Sequence, residues 1–174
     1  MKKLFYLLLV LAMFGLTFTS CKKSKNNESN NGSSSKSWKI GDHTYKQMMC
    51  MGEGKSGSYN LIAMANLNQS EANPQNNLIL VQFLQRPIAG TYKIMLKPGV
   101  TPAADEAVVS GIETINGVQY SATAENGSGT VTVKVENGKL NVTIPKVKAW
   151  YKPNSDPLDA NTPSTTIEGN IVEQ

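Results

Sequence analysis

Histidine and cysteine are scarce in this chain, which has one histidine, His43, and two cysteines among its 174 residues. Acid–base and nucleophilic hydrolysis usually depend on a base that titrates near neutrality, and histidine is the commonest such base. We expect His43 at the tip of a hairpin, where a polar ring is simply solvated. The sequence also lacks a P-loop, a dinucleotide-binding fingerprint, an HExxH zinc motif and a calcium loop. It therefore predicts a protein that is not an enzyme and has no cofactor.

Long apolar runs are also missing. The longest, Leu4–Leu16, has about 13 residues, or roughly 20 Å as a helix at about 1.5 Å per residue. A transmembrane helix needs about 20 apolar residues. Two lysines precede the run, and the small residues Thr19 and Ser20 follow it. We therefore predict that residues 1–20 are a cleavable signal peptide and not a membrane-spanning anchor.

Cys21 follows these small residues directly, and a polar stretch follows it at once. The segment from Thr17 to Cys21 resembles the lipobox of bacterial lipoproteins, and its Ser-Cys ending is similar to the lipoboxes of Bacteroidota. Phe18 departs from the commonest pattern, which has leucine there. The resemblance implies cleavage before Cys21, a thioether-linked diacylglycerol on that residue and usually an N-linked acyl chain such as palmitate. An ordinary secretory signal with a chance cysteine at the cut is the alternative.

The residues after the cysteine indicate where in the cell the protein is anchored. Lys22, and not aspartate, follows Cys21, which in enterobacterial-type sorting resembles the signal for export to the outer membrane. Surface-exposed lipoproteins of Bacteroidota often carry acidic residues there, whereas residues 22–25 are Lys-Lys-Ser-Lys. The resemblance therefore implies a lipid anchor in the outer membrane, with the periplasmic face favoured over the cell surface.

Residues 22–37 contain no apolar side chain, so this segment has nothing to bury. We predict that residues 21–37 form a lipidated, disordered tether. A flexible segment of this length reaches about 20–25 Å, enough to hold a domain clear of the lipid headgroups. Without the predicted signal peptide, 15 basic residues face 13 acidic ones, so the mature chain is near neutral. Export and near-neutrality together argue against nucleic acid as a partner.

From Trp38 onward, apolar and polar residues alternate, and glycines and Asn-Gly pairs separate the runs. Three successive runs end in Asn116-Gly117, Asn126-Gly127 and Asn137-Gly138. Asn-Gly is the strongest short hairpin signal, because both central residues of a type I′ turn need positive φ. We therefore predict that residues 38–174 form a single all-β domain containing an antiparallel meander. About nine strands and no helix of three turns indicate an antiparallel β-sandwich or an up-and-down barrel.

Four segments of this domain resemble parts of small, uncharacterised lipoprotein families of Bacteroidota. They are a W-x-I-G-D-x-x-Y opening at Trp38–Tyr45, a central G-T-Y strand at Gly90–Tyr92, and closing strands at Gly129–Val135 and Ile167–Ile171. These families have no settled activity, so the resemblance implies a fold and a cellular address only.

Four sulfur-containing side chains stand together in Met48–Met51, five residues after His43. Thiolate and thioether ligands favour Cu(I), so His43, Met48 and Cys50 are candidate metal ligands. On a regular strand, however, Met48 and Cys50 face one side while the other two methionines face the opposite side. We favour a core or edge strand, because methionine packs well in irregular cores. Once the other cysteine is lipidated, Cys50 has no partner for an internal disulfide.

Trp150 and Tyr151 are the second candidate site, at a predicted strand end before a proline-rich loop. Aromatic rings there could stack on a sugar or a peptide. The alternative is that Trp150 closes one end of the core. We expect a membrane-anchored, non-catalytic domain that binds a ligand or partner of the envelope. A copper-handling protein and a lipocalin-like carrier of a small apolar ligand are the alternatives.

Overall fold

The computed structural model describes residues 36–55, 57–65, 77–96, 101–154, 156 and 161–174. The predicted signal peptide, the predicted lipidation site Cys21 and all but the last two residues of the predicted tether lie outside this part of the chain. All the described residues belong to one compact unit, residues 33–174. No helix long and apolar enough to cross a membrane is found among them.

The described residues form ten β-strands and no helix, which confirms the predicted all-β class. The first five strands are β1 (Ser37–Ile40), β2 (His43–Lys55), β3 (Ser58–Ala65), β4 (Asn77–Phe83) and β5 (Gly90–Ile94). The last five are β6 (Glu106–Ile115), β7 (Val118–Ala124), β8 (Thr130–Glu136), β9 (Lys139–Pro153) and β10 (Ser164–Val172). The first strand begins one residue earlier than the predicted domain boundary.

The strands join into one closed, barrel-like ring. Eight of them, β1, β2, β3, β4, β6, β7, β9 and β10, follow one another around it, each antiparallel to its neighbours. The pairing of β1 with β10, from Ser37 opposite Asn170 to Ile40 opposite Ile167, closes the ring. A single, mostly antiparallel sheet that closes in a ring is consistent with the predicted β-sandwich or barrel.

Strands β6 and β9 diverge, and different strands lie between them at the two ends of the ring. At one end, β7 pairs with Ser110–Ile115 of β6 and with Ala149–Pro153 of β9. At the other end, β8 pairs with residues 139–143 of β9, and β5 joins β8 to the start of β6. We call these the β7 end and the β8 end. The contact of β5 with β6 is the one parallel pairing in the described sheet.

Two of the three predicted Asn-Gly hairpins are confirmed, and the third is wrong. Asn116-Gly117 and Asn137-Gly138 have positive φ at both residues and join paired strands. At Asn126-Gly127, β7 and β8 do not pair with each other. Instead, Gly127 donates a hydrogen bond to the carbonyl oxygen of Ile94, and Ile94 donates to that of Gly129, each at 2.9 Å. The turn itself is present, since Ser128 donates to the carbonyl oxygen of Glu125 at 3.1 Å, but hydrogen bonds to β5 replace the pairing of β7 with β8.

Alternation along the strands directs one set of side chains into the ring, as the period of two predicts. On β4, every second residue from Asn77 to Phe83 is buried. Trp38 and Phe83 are the largest fully buried side chains. A Cβ atom on Gly169 would lie 2.6 Å from the Cβ atom of Trp38 and 2.8 Å from its Cα atom, so glycine is needed where β10 crosses Trp38.

A carboxylate network holds the β8 end together. Glu173, just after β10, accepts hydrogen bonds from Tyr59 Oη at 2.6 Å and from the backbone nitrogen of Leu140 at 3.1 Å. Arg86, between β4 and β5, binds the two oxygens of Glu173 at 2.7 and 3.1 Å and the carbonyl oxygen of Gly138 at 2.6 Å. Burial raises the pKa of Glu173, but the hydrogen bonds from Arg86 and Tyr59 outweigh it and hold that pKa below its ordinary value.

We expect Glu173→Gln to lower the free energy of unfolding at pH 7 by about 1 kcal/mol, a small value because Arg86 is partly exposed and its charge is screened. Since the folded-state pKa of Glu173 is depressed, the carboxylate stabilises the fold above its unfolded pKa of about 4.3, and this contribution is lost as the pH falls through the folded pKa. Urea unfolding at pH 7 and pH 3 measures it. The variant should lose less stability on acidification than wild type.

Glu53→Gln, at an exposed position of β2, is the matched control and should behave as wild type. An unchanged pH dependence in Glu173→Gln would contradict the role given to the network.

Candidate functional site

Glu113 places a carboxylate inside the ring at the β7 end. The inward positions of β6 are Ala107, Val109, Gly111 and Glu113, and only the last is polar. Glu113 is 1% exposed. Burying an ionised carboxylate is costly unless hydrogen bonds or counter-charges compensate for the lost water. The partners of Glu113 therefore define the chemistry of this end.

Three side chains from two strands surround the carboxylate. Tyr151 on β9 donates its hydroxyl to Oε1 of Glu113 at 2.6 Å. Tyr45 on β2 donates to Oε2 through a short hydrogen bond. His43, whose side chain is 53% exposed, brings Nδ1 to 3.1 Å from the same oxygen. The hydrogen bonds account for the burial of the charge, because bonds to an ionised acceptor are the strong ones.

Two aromatic pairs flank these donors. Tyr45 stacks on the buried Trp38, with ring centroids 5.8 Å apart and planes at 29°. Tyr151 stacks on Tyr120 of β7, with centroids 5.1 Å apart and planes at 7°. We call Glu113, His43, Tyr45, Tyr151 and Tyr120 the Glu113 cluster.

The two hydrogen-bonded tyrosines are fixed as proton donors. Burial raises the pKa of Tyr45 and of Tyr151 well above the ordinary tyrosine value, and the hydrogen bond to Glu113 raises it further. Both phenols therefore stay protonated at neutral pH, and they stabilise the negative charge of Glu113 instead of acting as bases.

A surface cavity of about 500 Å³ adjoins the cluster. Its walls include the stacked rings of Tyr120 and Tyr151, two prolines, and the charged residues Lys152 and Asp156. The side chain of Lys152 is held by the carbonyl oxygens of Pro153, at 3.4 Å, and of Asp156. Solvent-exposed aromatic surface thus lies one ring away from a buried carboxylate.

The two residues of the predicted aromatic site are not brought together. Tyr151 faces inward and belongs to the Glu113 cluster. Trp150 precedes it on β9, half-buried, and neighbouring residues of a strand point to opposite faces. The suggestion that Trp150 closes the core is wrong, since Trp38 is the buried tryptophan.

The predicted copper ligands are also separated. His43 contacts Glu113, whereas Cys50, seven residues along β2, lies roughly 20 Å away at about 3.3 Å per residue. The strand is irregular between Gln47 and Met49, so the expected alternation fails and Met48 is exposed while Cys50 is buried. Burial raises the pKa of the free Cys50 thiol to about 12, which disfavours the thiolate that binds metals. No group of three His, Cys, Asp or Glu side chains suited to a metal occurs among the described residues.

Sequence reasoning missed Glu113, Tyr45 and Tyr120. One signal was present, because Glu113 occupies a position of β6 where the alternation calls for an apolar side chain. Tyr120 could have been found, because it lies opposite Glu113 across the predicted Asn116-Gly117 hairpin. Tyr45 carried no such signal, since it comes from a strand distant in sequence and meets Glu113 only through the closed ring.

We expect Tyr151→Phe to lower the free energy of unfolding at pH 7 by about 1–3 kcal/mol, because the buried carboxylate loses a donor. The raised pKa of Tyr151 stabilises the fold fully below the unfolded value of about 10, and this contribution is lost as the pH rises toward the folded pKa. Urea unfolding from pH 7 to 11 should therefore show less alkaline destabilisation in the variant.

Tyr120→Phe keeps the stacked ring without altering a bond to Glu113, so it serves as the control and should remain close to wild type. Equal losses in the two variants would show that the hydroxyl of Tyr151 has no special role.

Comparisons of the chain with protein-family models, with curated proteins and with solved structures return no significant match. No ligand or activity of a related protein therefore bears on the Glu113 cluster. The cluster itself combines a buried carboxylate, protonated phenols and aromatic rings beside a surface cavity.

Proposed function

We propose that this chain is a lipid-anchored protein of the bacterial cell envelope, and that its domain is a non-catalytic binding module whose ligand site is the Glu113 cluster. One observation carries the binding role: the buried Glu113 carboxylate lies one tyrosine ring behind a surface cavity. Ligand sites in proteins are typically concave and largely apolar, with a few convergent polar groups. The cluster fits that description.

The anchor is supported by the sequence alone. The basic start, the short apolar run and the Ser-Cys ending resemble a lipoprotein signal, and the polar segment 22–37 suits a tether. Modification at Cys21 would give the domain its address, at the outer membrane and on its periplasmic face.

The position of the large side chains favours binding at the ring's end over a lipocalin-like carrier. Trp38, Phe83, Ile79 and Leu61 are fully buried and point into the ring, where an apolar ligand would have to lie. A packed interior with aromatic surface at its end is better suited to recognising a small ligand or part of a partner. The separation of His43 from Cys50 likewise gives no support to the copper alternative.

Catalysis by His43 is a second candidate, because a buried carboxylate at 3.1 Å from Nδ1 can orient a histidine base. Binding is preferred for a chemical reason. Glu113 also accepts hydrogen bonds from Tyr45 and Tyr151, so its carboxylate is not devoted to orienting the imidazole of His43.

Cys21→Ala tests the anchor. We expect the variant to move from the membrane fraction to the soluble fraction and to lose label from radioactive palmitate, because the acylation site is gone. Cys50→Ala is the matched control, since it removes the other cysteine and should stay in the membrane fraction with its label. Membrane association of Cys21→Ala that survives a high-salt, alkaline wash would contradict the anchor.

A thermal-shift screen of small envelope constituents tests the binding role. We expect any ligand of this site to raise the melting temperature of wild type and to have at most a tenth of its affinity for Tyr120→Leu, which removes a cavity wall. Trp150→Leu, on the opposite face of β9, should keep the response. A ligand that stabilises wild type, Tyr120→Leu and Trp150→Leu equally would have to bind outside the Glu113 cluster.

A further inference from the structure

We infer that the Glu113 cluster recognises a quaternary ammonium group, of the trimethylammonium kind that choline carries, against the rings of Tyr120 and Tyr151. This inference rests on the proposed function in taking the cluster as the ligand site. It adds the chemical class of the ligand, which three features of the cluster determine.

The first feature is the uncompensated charge of Glu113. At the β8 end, the carboxylate of Glu173 is paired with Arg86 at 2.7 Å. At the β7 end, no lysine or arginine forms an ion pair with Glu113 among the described residues, and the half-exposed His43 is the one ionisable base in contact. A buried carboxylate without a permanent counter-ion attracts a cation, because the field of the charge is weakly screened where water is excluded.

The second feature is the burial of its oxygens. Oε1 accepts from Tyr151, and Oε2 accepts from both Tyr45 and His43. Oε1 keeps one acceptor position, but Glu113 is 1% exposed, so a primary amine would have to displace a neighbouring side chain to bind the carboxylate directly. A quaternary ammonium has no N–H group and needs none of those positions, since charge and aromatic faces suffice to hold it.

The third feature is the aromatic surface in the cavity. Tyr120 and Tyr151 line it as a nearly parallel pair, with planes at 7°. A cation is attracted to an aromatic face within about 6 Å of the ring centre. Because the hydroxyl of Tyr151 donates to Glu113 at 2.6 Å, its ring gains electron density, and the carboxylate itself lies just beyond the ring.

The positive charge of Lys152 also lies in the cavity wall, and hydrogen bonds fix its position. The ammonium of Lys152 is held by the backbone carbonyl oxygens of Pro153 and Asp156, on the side of the loop that follows β9. The faces of Tyr120 and Tyr151 are therefore the part of the cavity wall that is left for a second cation.

Calorimetric titration with choline and with its neutral isostere, 3,3-dimethylbutan-1-ol, tests the inference on the whole protein, purified in detergent or buffer according to the fraction that holds it. We expect choline to bind at least tenfold more tightly than the isostere, because the two differ only in charge. Glu113→Gln should weaken that preference, because it removes the carboxylate and leaves the cation-attracting tyrosine faces and the shape of the site in place. Tyr120→Leu should weaken choline at least tenfold, and Trp150→Leu should not.

Equal binding of choline and its isostere would overturn the inference, as would wild-type affinity of Glu113→Gln for choline or the absence of choline binding at about 10 mM. If Glu113→Gln fails to fold, the choline preference of wild type and its loss in Tyr120→Leu decide the question. A ligand such as glucose that binds in place of choline and responds to Tyr120→Leu would overturn the ligand class and leave the proposed function standing. If no ligand responds to the Tyr120 change, the proposed function fails as well.

Discussion

The antiparallel pairing of β1 with β10 converts a long, twisted sheet into a ring, and every other feature depends on it. An open sheet would leave two unpaired edges and a face without a partner layer. Contacts after the strands extend the closure. The backbone nitrogen of Gln174 donates to the carbonyl oxygen of Cys50 at 3.0 Å, and the side chain of Gln47 exchanges two hydrogen bonds with the backbone of Val172. Because the ring is closed, one face of each strand becomes interior.

At each end of the closed ring, a carboxylate lies next to the apolar interior and has lost water as a hydrogen-bond partner. The two ends compensate for this loss with different groups. At the β8 end, Glu173 is neutralised by Arg86 and bound by Tyr59, so the charges cancel within the protein. At the β7 end, Glu113 is stabilised by phenols and one imidazole. The first arrangement binds segments together and needs nothing more. The second leaves a buried carboxylate without a lysine or arginine partner among the described residues, next to the partly exposed rings of Tyr120 and Tyr151.

The sequence could predict what depends on local chemistry. The alternation of apolar and polar residues predicted the strands. Asn116-Gly117 and Asn137-Gly138 predicted two hairpins, because Asn-Gly readily takes the positive φ that these turns have. Asn126-Gly127 carries the same signal, but the backbone around it forms hydrogen bonds with Ile94 of β5. Ile94 lies 32 residues earlier in the chain, so no local sequence pattern reveals this pairing. The irregularity of β2 at Met48 also reverses the expected side-chain directions. It arises in the pairing of β2 with β3 and not in the sequence of β2 alone.

The candidate site shows where such prediction ends. Four sulfur-containing side chains in a row stand out in the sequence, yet they divide between the surface and the core. A single glutamate does not stand out by its residue type. Glu113 stands out only because it occupies an inward position in the alternation of β6. Replacing a buried charge with an apolar residue of similar size is often neutral or stabilising. Twenty-five buried hydrophobic residues in the described part of the chain already hold the ring together, so its stability does not require a carboxylate at this inward position. A buried carboxylate that the fold does not need, bound by donors from two strands, supports the proposal that this end of the ring attracts a ligand.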